Sequence, residues 1–153
     1  MAGSAGDVDA TVRELLLLMP RMVGRAKRIP VPQALESLAL APRHLSLLAC
    51  LLLDGPMTVN ELAARLEVAP TTVSLMVGDL SGKGVLDRRE DPSDRRRRIV
   101  AIAPAQHEAI AGWLAPGAAA WRRVLTPLTP AQRSLFVETL HAYEAAVAEE
   151  RER

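Results

Sequence analysis

TVNELAARLEVAPTTVSLMVGDLSGKGVLDRREDPSDRRRRIVAI, residues 58 to 102, decides the fold. Thr58 followed three residues later by Glu61 has the form of a capping box, so a helix is expected to start there, with Val59, Leu62, Ala63 and Leu66 as its apolar stripe. Glu67-Val68-Ala69-Pro70 breaks that pattern. Proline suits the first turn of a new helix, where its missing N–H would have no partner anyway. In that next helix Val73, Met76, Val77 and Leu80 fall at i, i+3, i+4 and i+7 and make one buried face. Thr71, Thr72, Ser74, Leu75, Gly78 and Asp79 are left on the other, and Gly82-Lys83-Gly84 supplies the stop.

Beyond the stop, Val85 to Glu90 and Arg97 to Ile102 are short, partly β-branched runs around Asp91-Pro92-Ser93-Asp94, a turn-forming set, and they read as a hairpin. Lys83, Arg88, Arg89, Arg95, Arg96, Arg97 and Arg98 give seven cations against Asp87, Glu90, Asp91 and Asp94, a local net of +3 in a chain whose whole net charge is +1. The positive charge is therefore concentrated at one place. An arginine cluster on a protruding turn, beside a helix with small polar side chains on its open face, is the footprint expected for duplex DNA.

Three segments, LxxDGPMTVNELAxxLxV, PTTVSxxVxxL and KGVLxRRxDPSDRRRRxV, together resemble the MarR family of bacterial transcription regulators over nearly the whole chain. The resemblance implies a mostly α protein: a winged helix-turn-helix with a two-stranded β wing, and N- and C-terminal dimerisation helices. It implies a single domain over residues 1–153, a DNA-binding lobe at 42–103, and dimerisation helices at 8–29 and 104–150. The helix from Pro70 to Ser81 would lie in the major groove and the wing from Asp91 to Arg98 would reach the minor groove, Arg96 matching the family's wing arginine. The residues expected at DNA are Thr71, Thr72, Ser74, Leu75, Asp94, Arg95, Arg96, Arg97 and Arg98.

The function implied is a homodimeric repressor, bound to double-stranded DNA at an inverted repeat and released by a small aromatic or phenolic effector. Met19, Met22, His44 and Trp113 are the candidate effector walls. A winged-helix protein-interaction module without specific DNA binding is the alternative. Two departures from the family stand out. Leu75 and Asp79 occupy positions where relatives carry basic residues, and Ala41-Pro42 and Ala103-Pro104 replace Thr-Pro. Alanine has no side-chain oxygen with which to cap a helix, a loss of about 1 kcal/mol each.

The rest of the chain fits that frame. Its 153 residues are enough for one domain with extensions, and its few aromatics (two Trp, one Tyr, one Phe) among many Leu and Ala favour helices. Val12, Leu15, Leu16, Met19, Met22, Val23 and Ala26 mark one face of a helix from Val8 to Arg28, which Pro20 should kink or divide. Ile29 to Pro32 is a linker. In the helix from Pro42 to Asp54, Leu45, Leu48, Ala49 and Leu52 should pack under the helix-turn-helix. A helix from Pro104 to Leu125 carries Ile110, Trp113, Leu114, Gly117, Trp121 and Val124, with an interruption at Pro116-Gly117. Thr129-Pro130-Ala131-Gln132 then opens a last helix with Leu135, Phe136, Leu140, Tyr143 and Val147, ending in the tail EERER.

These end helices carry more apolar surface than one small winged domain can cover. No membrane span or signal peptide is evident, so a cytoplasmic protein is expected. One cysteine, Cys50, excludes an intrachain disulfide and reads as a small buried hydrophobe. His44, His107 and His141 are far apart, with no metal-ligand spacing and no nucleophile motif, so neither an enzyme nor a metal or other cofactor is expected.

Overall fold

A computed structural model describes residues 3–151. Met1 and Ala2, and the end of the EERER tail, lie outside the described residues, as do the extreme ends of the expected 1–153 domain. The elements run α1 (Gly3–Ala26), α2 (Gln33–Glu36), α3 (Pro42–Asp54), α4 (Val59–Leu66), α5 (Pro70–Gly82), β1 (Leu86–Glu90), β2 (Arg98–Ile102), α6 (Pro104–Leu125) and α7 (Pro130–Arg151). The chain forms two compact units, one extending to Leu114 and one from Ala115 onward.

The first unit is built around α3, α4 and α5. Thr58 caps α4 as the sequence requires. Its Oγ1 accepts the Glu61 N–H at 3.2 Å, and the Glu61 carboxylate accepts the Thr58 N–H at 2.7 Å. Glu67 ends α4 in the left-handed region at φ 51°, and the N–H of Val68 reaches back to the Ala63 carbonyl at 3.1 Å. A non-glycine residue bears a steric cost of roughly 1–2 kcal/mol in that conformation. At the end of α5 a glycine takes the same role without the cost: Gly84 has φ 71°, and the Val85 N–H bonds the Leu80 carbonyl at 2.9 Å.

Leu62 and Ala63 of α4, and Val73, Val77 and Leu80 of α5, are buried together with Val85, Leu86, Val100, Ile110 and Trp113. Each of the buried Leu, Ile and Val side chains contributes about 1.5–3 kcal/mol. On α3 the buried stripe is His44, Leu47, Leu48 and Leu51, rotated by about one position from the expected Leu45, Leu48, Ala49 and Leu52. HLSLLACLLL is apolar nearly all round, so periodicity alone does not choose its inner face. Cys50 is half-buried, and burial followed by the nearby Asp54 pushes its thiol up, so it stays protonated as a small apolar side chain.

Strands β1 and β2 pair antiparallel from Leu86 with Ile102 to Glu90 with Arg98. A third backbone segment joins them: Met57 exchanges both hydrogen bonds with Val100, at 3.1 and 2.8 Å. The residue just before the α4 cap thus ties the wing to the helices, a contact between distant residues that no local signal announces.

Neither proline divides its helix: α1 continues across Pro20 and α6 across Pro116. A proline removes one intrahelical bond, and helical structure continues on both sides of each. Helix α2 is an addition: one turn that follows Pro32 and buries Leu35. Alanine at the start of α3 is partly compensated, because the ring Nδ1 of His44 accepts the Ala41 N–H at 3.1 Å. One arm of a capping box therefore forms without a hydroxyl.

In the second unit Thr129 and Gln132 make a complete box, with bonds of 3.2 and 2.9 Å, and Trp121 meets Phe136 with ring centres 5.8 Å apart and ring planes tilted by 48°.

Replacing Thr58 by alanine leaves the Glu61 amide unsatisfied and is expected to cost about 1 kcal/mol. The drop should show in the urea midpoint at unchanged slope. Bonds from Thr58, and then the Arg97 guanidinium, hold the Glu61 carboxyl below its ordinary 4.5. A depressed carboxyl stabilises the fold above its ordinary value and ceases to do so as pH falls through the folded value. The acid limb of stability should therefore be shallower in Thr58→Ala than in the parent chain.

Candidate nucleic-acid interface

α5 presents Thr71, Thr72, Ser74 and Leu75 to solvent, Leu75 with 76% of its surface exposed. Val73 and Val77 on the opposite side are wholly buried, which fixes which face points outward. Pro70 opens the helix and no side chain caps its first turn. Pro70 has no N–H and the Thr72 and Val73 amides bond the Ala69 carbonyl, so the Thr71 amide is the donor left at the positive end of the helix dipole. Asp79 does not project into that surface as a free anion. Its Oδ2 takes the Lys83 ammonium at 3.0 Å and lies 3.7 Å from His44 Nε2.

The wing tip is shaped by its own carboxylates. Asp91 Oδ1 accepts the Ser93 N–H at 2.9 Å and the Ser93 hydroxyl at 2.6 Å. These bonds, with the Arg97 guanidinium, hold the Asp91 carboxyl below its ordinary value. Asp94 Oδ1 accepts the Arg96 N–H at 3.0 Å. That bond sets the turn from which Arg96 departs.

The four arginines, equivalent on paper, separate in space. Arg97 bonds Glu61 of α4 at 2.8 Å and lies 3.7 Å from Asp91, so it anchors the wing to the helix-turn-helix. Arg98 stands 3.9 Å from Glu90 across the ribbon. Arg95 and Arg96 are exposed and make no ion pair among the described residues. A further cation near this surface is Arg88 of β1. Its Nη2 lies 3.9 Å from where a side chain on Gly78 would begin, which places the guanidinium beside α5. Beside it, a cleft of about 310 Å³ is lined by Val59, Arg88, Arg98, Ile99 and Val100.

Of the candidate effector walls, His44 is 1% exposed, bonded to the Ala41 N–H and facing Asp79, and Trp113 is 4% exposed in the core of the first unit. Neither faces open space. Met19 is half-buried and Met22 exposed on α1.

A helix-turn-helix with an arginine-tipped ribbon hinged to it defines the winged helix-turn-helix class of DNA-binding proteins. Residues 40–97 match the sequence model of the MarR family. The chain belongs to that family and is a transcriptional regulator. It is 31% identical over 104 residues to the HTH-type transcriptional regulator ML2140 of Mycobacterium leprae, covering 68% of this chain and 70% of that protein. It is 38% identical over 68 residues to the HTH-type transcriptional repressor MdtR of Bacillus subtilis, covering 42% and 44% of the two chains.

Among solved structures, RV1404 from Mycobacterium tuberculosis superposes with a TM-score of 0.62 at 24% identity, over 92% of this chain and 94% of that one. MepR of S. aureus, in a DNA complex, superposes with a TM-score of 0.60 at 19% identity, over 85% and 96%. At these identities the structures support the shared fold.

Proposed function

We propose that this regulator acts as a homodimeric repressor that reads an inverted repeat, with α5 in the major groove and Arg95 and Arg96 at the adjacent minor groove. The observation that carries the reading is the pair of wing-tip arginines without carboxylate partners, beside a helix face of small side chains. Cations free of internal ion pairs can exchange their counterions for phosphates, and small side chains allow the helix backbone to approach base edges. Leu75 adds an apolar contact suited to a thymine methyl. The work is done where the chromosome is, in the cytoplasm.

Two copies are implied by surface that stays uncovered in one. In the first unit α1 leaves Val8, Val12, Leu15 and Leu16 exposed; in the second, α7 leaves Leu135, Phe136, Leu140 and Tyr143 exposed. Apolar patches of this extent mark association sites, and a two-fold pair matches an inverted repeat. The proposed domain use follows: 42–103 as the reading lobe, 8–29 and 104–150 as the dimerising helices.

For the effector, the cleft at Arg88 and Arg98 is a better candidate than the walls read from sequence. It has an apolar floor of Val59, Ile99 and Val100 and two guanidiniums, which suits a small aromatic acid or phenolate. A hundredfold release requires the ligand to favour the released form by about 2.7 kcal/mol, and DNA must weaken ligand binding by the same factor.

One titration series tests the whole reading. Binding to an inverted-repeat duplex drawn from the DNA flanking the protein's own coding region should be tighter than to its scrambled sequence and should weaken steeply with salt. A small aromatic acid that binds the free protein should bind less tightly when that duplex saturates it. Absence of salt-dependent duplex binding would leave the winged helix as a protein-interaction module.

A further inference from the structure

His44 occupies the first turn of α3 and is 1% exposed. Its Nδ1 accepts the Ala41 N–H at 3.1 Å, so the neutral ring carries its proton on Nε2. That nitrogen is buried without a hydrogen-bond partner and stands 3.7 Å from Asp79 Oδ2, across the gap to α5. The same oxygen holds the Lys83 ammonium at 3.0 Å. The charged groups that act on the ring are Arg43 on its own helix, Asp79 on α5 and Lys83 at the end of α5; α4 and β2, also packed on α3, contribute none.

We propose that His44 is a proton-operated latch between α3 and the recognition helix. With the ring neutral, it caps α3 and leaves Asp79 to Lys83. A proton taken from solvent must go onto the Nδ1 lone pair, the only one the ring has. There it opposes the Ala41 N–H, donor against donor, and that bond is lost. The imidazolium is at the same time drawn to Asp79, in competition with Lys83, so its displacement is transmitted to α5. The consequence for DNA rests on the reading of α5 as the groove helix.

The direction of the effect follows from the surroundings. Burial, with Arg43 and Lys83, holds His44 below its ordinary 6.5, and the attraction of Asp79 does not reverse this. A chain in which this contact is open takes up the proton first as pH falls. The contact is therefore fully stable above the ordinary value and is lost progressively as pH falls below it.

Hydrogen exchange on the full chain tests this at about pH 7.5 and about pH 5.5, either side of the ordinary histidine value and normalised for intrinsic rates. The chains compared are the parent, His44→Gln and Asp79→Asn. Glutamine at the third helical position can still accept the Ala41 N–H through its side-chain carbonyl, but it does not titrate. In the parent, amides at the start of α3 and along the last turns of α5 should exchange at least roughly threefold faster at the lower pH. In His44→Gln the two pH values should agree within about twofold. Asp79→Asn removes the anion that favours the charged ring, so the onset should move to lower pH.

Superimposable pH responses of parent and His44→Gln would overturn the latch. So would a His44 ring resonance that titrates at or above the ordinary histidine value, a measurement that needs no variant. Affinity for a mixed-sequence duplex at both pH values separately decides the DNA reading, so failure of one idea is distinguishable from failure of the other.

Discussion

Arg96→Ala is expected to weaken binding to duplexes of any sequence by roughly tenfold at moderate salt, and to make log K against log salt shallower by about one. The expectation rests on what surrounds the side chain. Its backbone N–H is held by Asp94 Oδ1 at 3.0 Å, while its guanidinium meets no carboxylate among the described residues. The charge is thus positioned by the turn and remains available for phosphate. An arginine engaged in an internal pair would have to surrender that pair first. Arg97→Ala therefore makes an informative contrast. It removes the 2.8 Å tie to Glu61, so it should loosen the wing on its base and affect binding through position as well as charge. Arg96→Lys keeps the charge and loses the planar fork, and should recover most of the salt slope. A parent-like slope in Arg96→Ala would show that the wing tip does not meet DNA.

Leu140→Asp should produce the other large effect, loss of the dimer. In the single chain Leu140 is 39% exposed, and Leu135, Phe136 and Tyr143 on the same helix are exposed with it. A helix whose apolar residues find so little cover within its own unit has most of its burial still to gain on association. An unpaired carboxylate in such an interface costs several kcal/mol, enough to weaken dimerisation by more than about a hundredfold. Sedimentation velocity at micromolar concentration should find monomer or aggregate. Operator affinity should fall steeply too, because each reading head would then bind alone. A well-folded Leu140→Asp chain sedimenting as a dimer would exclude α7 from the interface.

The helices of the reading lobe were legible because their signals are local. The Thr58 and Glu61 box, Pro70 at a helix start and the glycine after α5 act within a few residues, and the boundaries of α3 and α4 coincide with those read from the chain. The face of α5 was legible for the same reason: only one side of it is apolar at helical spacing. The inner face of α3 was not, because leucines surround that helix and the choice among them belongs to what packs against it. That α1 and α6 continue past Pro20 and Pro116 was not legible either, because a proline weighs one lost bond, and whether a helix survives that loss depends on its other contacts.

What the sequence by itself determined is the class of protein: a capped helix-turn-helix followed by an arginine-tipped ribbon, with terminal helices too apolar to stand alone. What only the tertiary structure decided is how like residues divide their tasks. Arg95, Arg96, Arg97 and Arg98 are identical letters, yet Glu61 comes from 36 residues away to take one of them and Glu90 approaches another across the ribbon. His44 read as a cavity wall and turned out to cap its helix and face Asp79. Such partners meet through packing between distant segments, and spacing along a chain carries no record of which distant side chain will arrive.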